Sequence, residues 1–194
     1  MASNLYTVIA TEDDFDSILS LTNEAFMADA FFKKNMYHLR FDLPTVTEMF
    51  NSVNSKFIIA RKCANDIDVT CGSIFFHWEI DNTDKQLTQV TGKFSAVSVP
   101  SKFGKQGIGK ALVKAAEVQL MEIARTEFQV TPTKTVQVCM EMGVINQRND
   151  LFPWYEAQGY KIMGEIRPND EELLRICLDD TDICCILMRK TLQL

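Results

Sequence analysis

Gly104, Gly107 and Gly109, interleaved with Lys102, Lys105 and Lys110, are the residues whose types and spacing speak most directly of chemistry. The glycines let a backbone turn tightly and approach a ligand with no side chain in the way. A helix starting near Gly107 would point its first N–H groups back into that turn without intrahelical acceptors. Free donors, helix dipole and lysine charge together suit a phosphate-bearing ligand. Ahead of the turn, Phe94 to Val99 alternates small, β-branched and aromatic residues as a strand does. Pro100 withholds a backbone donor and should end the ladder.

Three motifs compete for this turn. Gly104-Lys-Gln-Gly-Ile-Gly109-Lys110 follows the nucleotide P-loop up to its lysine, but Ala111 stands where the magnesium-binding hydroxyl is required. Gly107-Ile-Gly109 begins a dinucleotide fingerprint, but Leu112 occupies its third glycine position and the motif lies mid-chain. A turn that only reverses the chain is the plainest alternative.

The elements that must position the turn can be read on either side of it. Leu5 to Ala10 reads as a strand. Thr11 is placed to cap a helix running to about Ala30, with Phe15, Ile18, Leu19, Thr22 and Phe26 on one face. Phe31 to Phe41 mixes aromatic and basic residues, and Pro44 opens a helix over Thr45 to Val53. Lys56 to Arg61 and Thr70 to Ile80 form a hairpin around the polar Ala64 to Asp68, and Asp81 to Gln89 reads as a polar connection. The helix after the glycine turn should bury Ile108, Ala111, Leu112, Ala115, Ala116 and Ile123, expose Lys110, Lys114, Glu117 and Arg125, and end before Thr131-Pro132. Thr135 to Met140 reads as a strand, Asn149 to Gln158 as a short helix with Gly159 at its C-terminal end. Tyr160 to Ile166 and Asp182 to Arg189 complete the set of strands. The order β-α-α-β-β-β-α-β-α-β-β describes a mixed sheet with helices on its faces, in one domain over residues 1–194.

Composition narrows the partners. The 194 residues are 46% hydrophobic and 24% charged, with a net charge of −6. That balance describes a folded domain and disfavours nucleic acid, whose affinity rests on neutralised phosphates. Residues 1–6 show no basic or apolar leader, and no apolar run approaches the roughly 20 residues that span a bilayer. Six cysteines show no C-x-x-C pair, and His38 and His77 lie far apart. We expect reduced thiols, no metal and a cytoplasmic location.

Val97-Ser-Val-Pro-x-x-x-Gly-x-x-Gly-Ile-Gly-Lys-Ala-Leu112 resembles the acetyl-CoA-binding motif of the GNAT acyltransferase superfamily. That family writes a strand, then [RQ]-x-x-G-x-[GA], then a helix. Gly104 departs from it at the arginine or glutamine position, where Lys102 or Gln106 could compensate. Arg148-Asn-Asp-Leu-Phe-Pro-Trp-Tyr-Glu-Ala-Gln-Gly-Tyr160 resembles the second family signature, Y-x-x-x-G-[FY] on and after a short helix, with Arg148 at the usual asparagine. The resemblance covers nearly the whole chain. It implies a GNAT fold: a mixed, mostly antiparallel sheet of about seven strands with helices on both faces.

The resemblance also implies acetyl-CoA as co-substrate and a primary amine as acceptor, a small molecule or peptide, acting on a monomer or homodimer. In the family's pattern Val97, Ser98 and Val99 would pair with the pantetheine arm. Backbone groups of Lys105, Gln106, Gly107, Ile108, Gly109 and Lys110 would hold the pyrophosphate. Tyr155 maps onto the tyrosine that protonates the departing thiolate. An amine with a pKa of about 10.4 is neutral in only about one copy in two thousand at pH 7, so a base must take its proton. Glu79 is the leading candidate, with His77 and Glu141 also at or near strand ends. Nothing local activates Cys139 for covalent catalysis. A non-catalytic acyl-CoA-binding module is the rival reading. Phe26 to Phe41, His77 to Gln89 and Glu165 to Cys185 would wall the acceptor site.

Overall fold

The computed structural model describes residues 4–32, 39–64, 67–130, 133–166 and 182–194. Its elements are β1 (Asn4–Ile9), α1 (Phe15–Phe26), α2 (Leu43–Asn51), β2 (Ser55–Ala64), β3 (Ile67–Asp81), β4 (Leu87–Ser98), α3 (Ile108–Val130), β5 (Thr135–Ile145), α4 (Leu151–Glu156), β6 (Lys161–Ile166) and β7 (Cys185–Leu192). This is the order expected from the sequence. The readings of Lys33, Lys34, Tyr37, His38 and Cys177, and of the turn at Thr131-Pro132, lie outside the described residues.

Local chemistry sets the helix starts. The Asp14 carboxylate accepts the Thr11 N–H at 3.0 Å and its hydroxyl at 3.3 Å, while Arg61 of β2 holds the other oxygen at 2.7 Å. Asp42 accepts the Thr45 N–H at 2.9 Å and caps α2, whose first turn contains Pro44. Both are side-chain answers to the orphan donors of a helix start.

The strands pair in the order β1-β2-β3-β4-β5-β7-β6, antiparallel except for β4 with β5. Helices cover both faces. On one, α1 and α2 bury Ile18, Val46, Phe57, Ile59 and Phe75; on the other, α3 and α4 bury Ile58, Ile74, Phe76, Val90, Phe94 and Tyr155. That is why Phe57 to Ala60 is one apolar run, without the alternation of a half-exposed strand. No helix among the described residues is long and apolar enough to cross a membrane.

Two expectations are corrected. Asp81 to Gln89 is not all connection: β4 begins at Leu87, and Leu87 to Gln89 pair with Thr135 to Gln137 of β5. The turn is instead closed by Asp81 and Asp84, which accept the N–H groups of Thr83 and Gln86 at 2.9 and 2.7 Å. Glu117 does not lie on an exposed helix face. It is buried, accepting the Tyr160 hydroxyl at 3.1 Å and Lys190 at 2.7 Å.

The feature that matters most for function is a fork. β4 and β5 pair in register from Leu87↔Thr135 to Lys93↔Glu141 and then separate. β4 continues to Ser98 along β3, and β5 continues to Ile145 along β7, with no pairing between them. Within its free arm β4 carries one extra residue relative to β3, since Phe75 faces Ser95 but Ser73 faces Ser98. Ala96 absorbs the bulge with a left-handed φ of 50°.

Candidate active site

The glycine turn ends at the start of α3. Its first intrahelical bond is Ala111 N–H to Gly107 O at 3.0 Å, so the N–H groups of Ile108, Gly109 and Lys110 have no intrahelical acceptors. Lys105 at φ 58° and Gly107 at φ 77° give the turn two left-handed residues. A Cβ on Gly107 would meet nothing within 4 Å, whereas one on Gly109 would lie 3.3 Å from the Trp154 ring. Gly107 therefore serves the turn, and Gly109 serves the contact of α3 with α4. Lys105 and Lys110 are exposed. Lys102 is bound to Glu24 at 2.8 Å, and the Gln106 amide oxygen accepts from Lys62. Neither Lys102 nor Gln106 is thus positioned as a direct replacement for an arginine at Gly104.

The free arm of β4 presents main chain to the fork. Val97 and Val99 pack against the α3-side core. Ser98 contributes only its backbone there, because its hydroxyl donates to Ala96 O at 2.8 Å and lies within hydrogen-bond distance, 3.1 Å, of the buried Thr22 hydroxyl. The Ile108 side chain is likewise core, fully buried beside Gly72.

Tyr155 stands on the α3 face of the fork, its ring 6.1 Å from Phe94 and 4.6 Å from Trp154. The side chain is buried, yet among the described residues its hydroxyl has no hydrogen-bond partner and is not a sealed atom. Burial pushes the phenol well above its ordinary pKa, with Arg148 opposing. The phenol keeps its proton at neutral pH.

The other face of the fork carries a row of residues directly opposite one another across five neighbouring pairs of strands. Ser55, His77, Lys93, Glu141, Arg189 and Lys161 follow one another in register from β2 to β6. Glu141 is buried at the point where the strands part, and Arg189 donates to it at 2.6 Å. His77 is half-buried; its Nδ1 is buried without a hydrogen-bond partner among the described residues. Burial, and then Lys93, holds its pKa below the ordinary imidazole value. Glu79 lies two residues further from the fork, opposite Thr91. Its exposed carboxylate is bound by Lys93 at 2.8 Å, and that bond depresses its pKa. Of the three candidates, Glu79, the base expected from the sequence, is the exposed one and stands two residues further from the fork. Cys139 is buried in β5. Among the described residues no three His, Cys, Asp or Glu side chains gather where they could hold a metal.

No family sequence model and no curated protein sequence matches the chain. Solved structures do match over its length. The ribosomal-protein-S18-alanine N-acetyltransferase from Escherichia coli aligns with 98% of this chain and 96% of its own at a TM-score of 0.64 and 11% identity. Arabidopsis thaliana NAA60 in complex with acetyl-CoA aligns with 97% of this chain and 99% of its own, at 0.61 and 12%. A GNAT-family acetyltransferase from Streptococcus pneumoniae aligns with 98% of this chain and 100% of its own, at 0.57 and 12%. The chain has the GNAT fold.

Within the GNAT fold this chain's two departures acquire structural reasons. At Gly104 the preceding turn, Ser101–Phe103, is wound so tightly that a Cβ would press on Ser101 O at 3.0 Å. Arg148 bridges two parts of the protein: it donates to Asp150 at 3.0 and 2.9 Å and to the buried Asp29, just beyond α1, at 2.8 Å. These pairings raise its pKa still further. The partners Asp29, Arg189 and Lys62 escaped the sequence reading because each contact joins residues from 44 to 119 positions apart. Only the alternation of β5, which puts Glu141 and Cys139 on the face opposite Met140, carried a signal.

Proposed function

We propose that this protein is an acyltransferase that moves an acetyl group from acetyl-CoA to a primary amine by direct attack. The observation that carries the reading is the fork. A slot with unpaired main chain along one arm ends at a turn of free N–H donors, with a protonated tyrosine on one face and a buried carboxylate on the other. The donors of Ile108, Gly109 and Lys110, with Lys105 and Lys110 nearby, fit a pyrophosphate. The free edge of β4 fits an extended arm bearing amide groups, as an added strand would. The acetyl-CoA-bound state of Arabidopsis NAA60 supports the same ligand for the shared fold.

In this reading the amine nitrogen attacks the thioester carbonyl, the carbon–sulfur bond breaks, and the thiolate takes the Tyr155 proton. The amine's own proton passes to a base on the opposite face. Glu141, at the fork, is better placed for that than Glu79, with the neutral His77 two strands away as a relay partner. Separate faces for acid and base keep the two proton transfers from short-circuiting.

Calorimetric titration with acetyl-CoA, coenzyme A and ATP-magnesium, followed by free-thiol detection over a panel of amines, tests the proposal. Binding of acetyl-CoA with amine-dependent thiol release is expected. Binding of ATP-magnesium alone would sink it, and acetyl-CoA binding without thiol release for any amine would favour a non-catalytic binding module.

A further inference from the structure

Arg40 is a cation whose side chain finds no anionic hydrogen-bond partner among the described residues. Its main chain is clamped to α1: Asn23 Oδ1 accepts the N–H groups of Arg40 and Phe41 at 2.7 and 3.0 Å, and Asn23 Nδ2 donates to Phe41 O at 2.9 Å. The guanidinium stands over two rings, 5.3 Å from the centre of Phe26 and 5.7 Å from that of Phe41. Among the described residues no carboxylate or carbonyl accepts a hydrogen bond from it. It is exposed to solvent, yet the crowding protein strips enough water to pull its pKa below the ordinary guanidinium value. Arg40 thus sits on an exposed but crowded surface.

Its neighbours locate that surface. Among the described residues, Asp29 and Cys185 are the titratable groups that act on Arg40. Asp29 is bound to Arg148, in the loop that leads into α4 and Tyr155. Cys185 opens β7 opposite Ile145, the last residue of β5's free arm, and its Cβ would lie 3.6 Å from a Cβ on Gly143. Gly143 follows Glu141 by two residues and shares its face of the sheet. Arg40 therefore overlooks the free arm of β5 from the face that carries the candidate base, where an acceptor would approach.

A planar guanidinium held between aromatic rings, with its donors unused, is built for a planar anion taken through two parallel hydrogen bonds. One guanidinium, with Asp29 close by, suits a monoanion better than a phosphate dianion. We infer that Arg40 receives a carboxylate of the acceptor, so that the acceptor is a primary amine bearing a carboxylate. This rests on the acyl-transfer reading above and names the substrate class within it.

The test uses acceptors in matched pairs: the C-terminally amidated peptides Ala-Asp-Ala and Ala-Asn-Ala, Ala-Glu-Ala and Ala-Gln-Ala, and β-alanine with its amide. Each pair is measured by calorimetric binding to the protein–coenzyme A complex and by thiol release with acetyl-CoA. The carboxylate member should be favoured about tenfold or more in the series that fits. The peptide and amino-acid series separate a side-chain carboxylate from one on the amine's own small molecule. Arg40→Gln should reduce the preference to within about twofold, while Arg40→Lys keeps part of it. An unchanged melting temperature and unchanged acetyl-CoA affinity in both variants show that fold and cofactor site are intact. Equal binding of both members in every series, or a preference that survives Arg40→Gln, overturns the inference whatever the turnover. A calorimetric preference that depends on Arg40, with no thiol release from any amine, upholds it and counts against acyl transfer instead.

Discussion

Lys93 and Glu141 are the last pair of residues through which β4 and β5 are joined. Beyond them the strands part, so Glu141 stands at the crotch of the fork, on the face opposite Phe94 and Tyr155. If the two faces divide the proton work, Tyr155→Phe and Glu141→Gln should each lower kcat by about a hundredfold or more. Acetyl-CoA affinity should barely change in either. Glu79→Gln should stay within about twofold of the wild type, because Lys93 already holds that carboxylate in solvent. A Glu79→Gln loss as large as that of Glu141→Gln would reverse this assignment. Steady-state thiol release with a saturating amine is the measurement.

His77 makes a prediction about pH. Its folded pKa lies below the ordinary value because burial and Lys93 both oppose the imidazolium. In the window between that lowered value and about 6.5, the unfolded chain binds the proton and the folded one does not. Stability therefore falls as pH drops through this window, and the loss is complete below the folded pKa. His77→Gln should shrink the fall in melting temperature between pH 7.5 and 5.5. An identical slope in both proteins would remove His77 from the account.

Gly107 is held at φ 77° and Gly109 against Trp154, so alanine should act differently at the two positions. Gly107→Ala costs about 1 to 2 kcal/mol of backbone strain, relieved by relaxation of a turn whose geometry aims the donors. We expect a modest loss of stability with a larger loss of acetyl-CoA affinity. In Gly109→Ala the added methyl pushes on the indole and disturbs the seating of α4, so turnover should fall alongside binding. Titration calorimetry and melting curves on both variants separate the effects.

Gly92 allows α3 to lie close on β4. A Cβ there would come within 2.7 Å of Leu120 Cδ2 and 3.0 Å of Met140 Sδ. Gly92→Ala should cost about 1 to 3 kcal/mol through overpacking. Leu120→Ala should cost about 2 to 5 kcal/mol by opening a cavity. The double variant should lose less than the sum, since each change fits the other. Denaturant unfolding of the four proteins closes the cycle, and strict additivity would deny the contact.

Much of this architecture was legible because local patterns announce it. Thr11, Pro44 and the glycine turn mark helix starts, and the apolar runs of β2, β3 and β5 mark strands. The first half of β4 was not legible. Leu87 to Gln89 look like the end of a polar linker until Thr135 to Gln137 supply the partner that makes them a strand. Glu117 reads as a surface residue of α3 because its partners, Tyr160 and Lys190, come from distant strands. The fork itself is a relation between two strands and leaves no trace in either one alone. For the same reason the sequence offered Glu79 as the base: strand ends are visible in a sequence, but their distance from the fork is not.

The bulge at Ala96 has a consequence for the phase of β4. A strand alternates its faces with strict parity, and one extra residue inverts that parity from there onward. Val90 and Phe94, both even, look to α3; past Ala96 it is the odd Val97 and Val99 that do so, and the even Ser98 turns to Thr22 of α1. Were Ala96 pleated as an ordinary strand residue with no bulge, the alternation would run uninterrupted and the two sets would exchange. The Ser98 hydroxyl would then face the apolar α3 layer, and Val97 would face the hydroxyls of Thr22 and Ser73. One left-handed alanine thus keeps both halves of the strand in step with their own layers while the arm between them stays open.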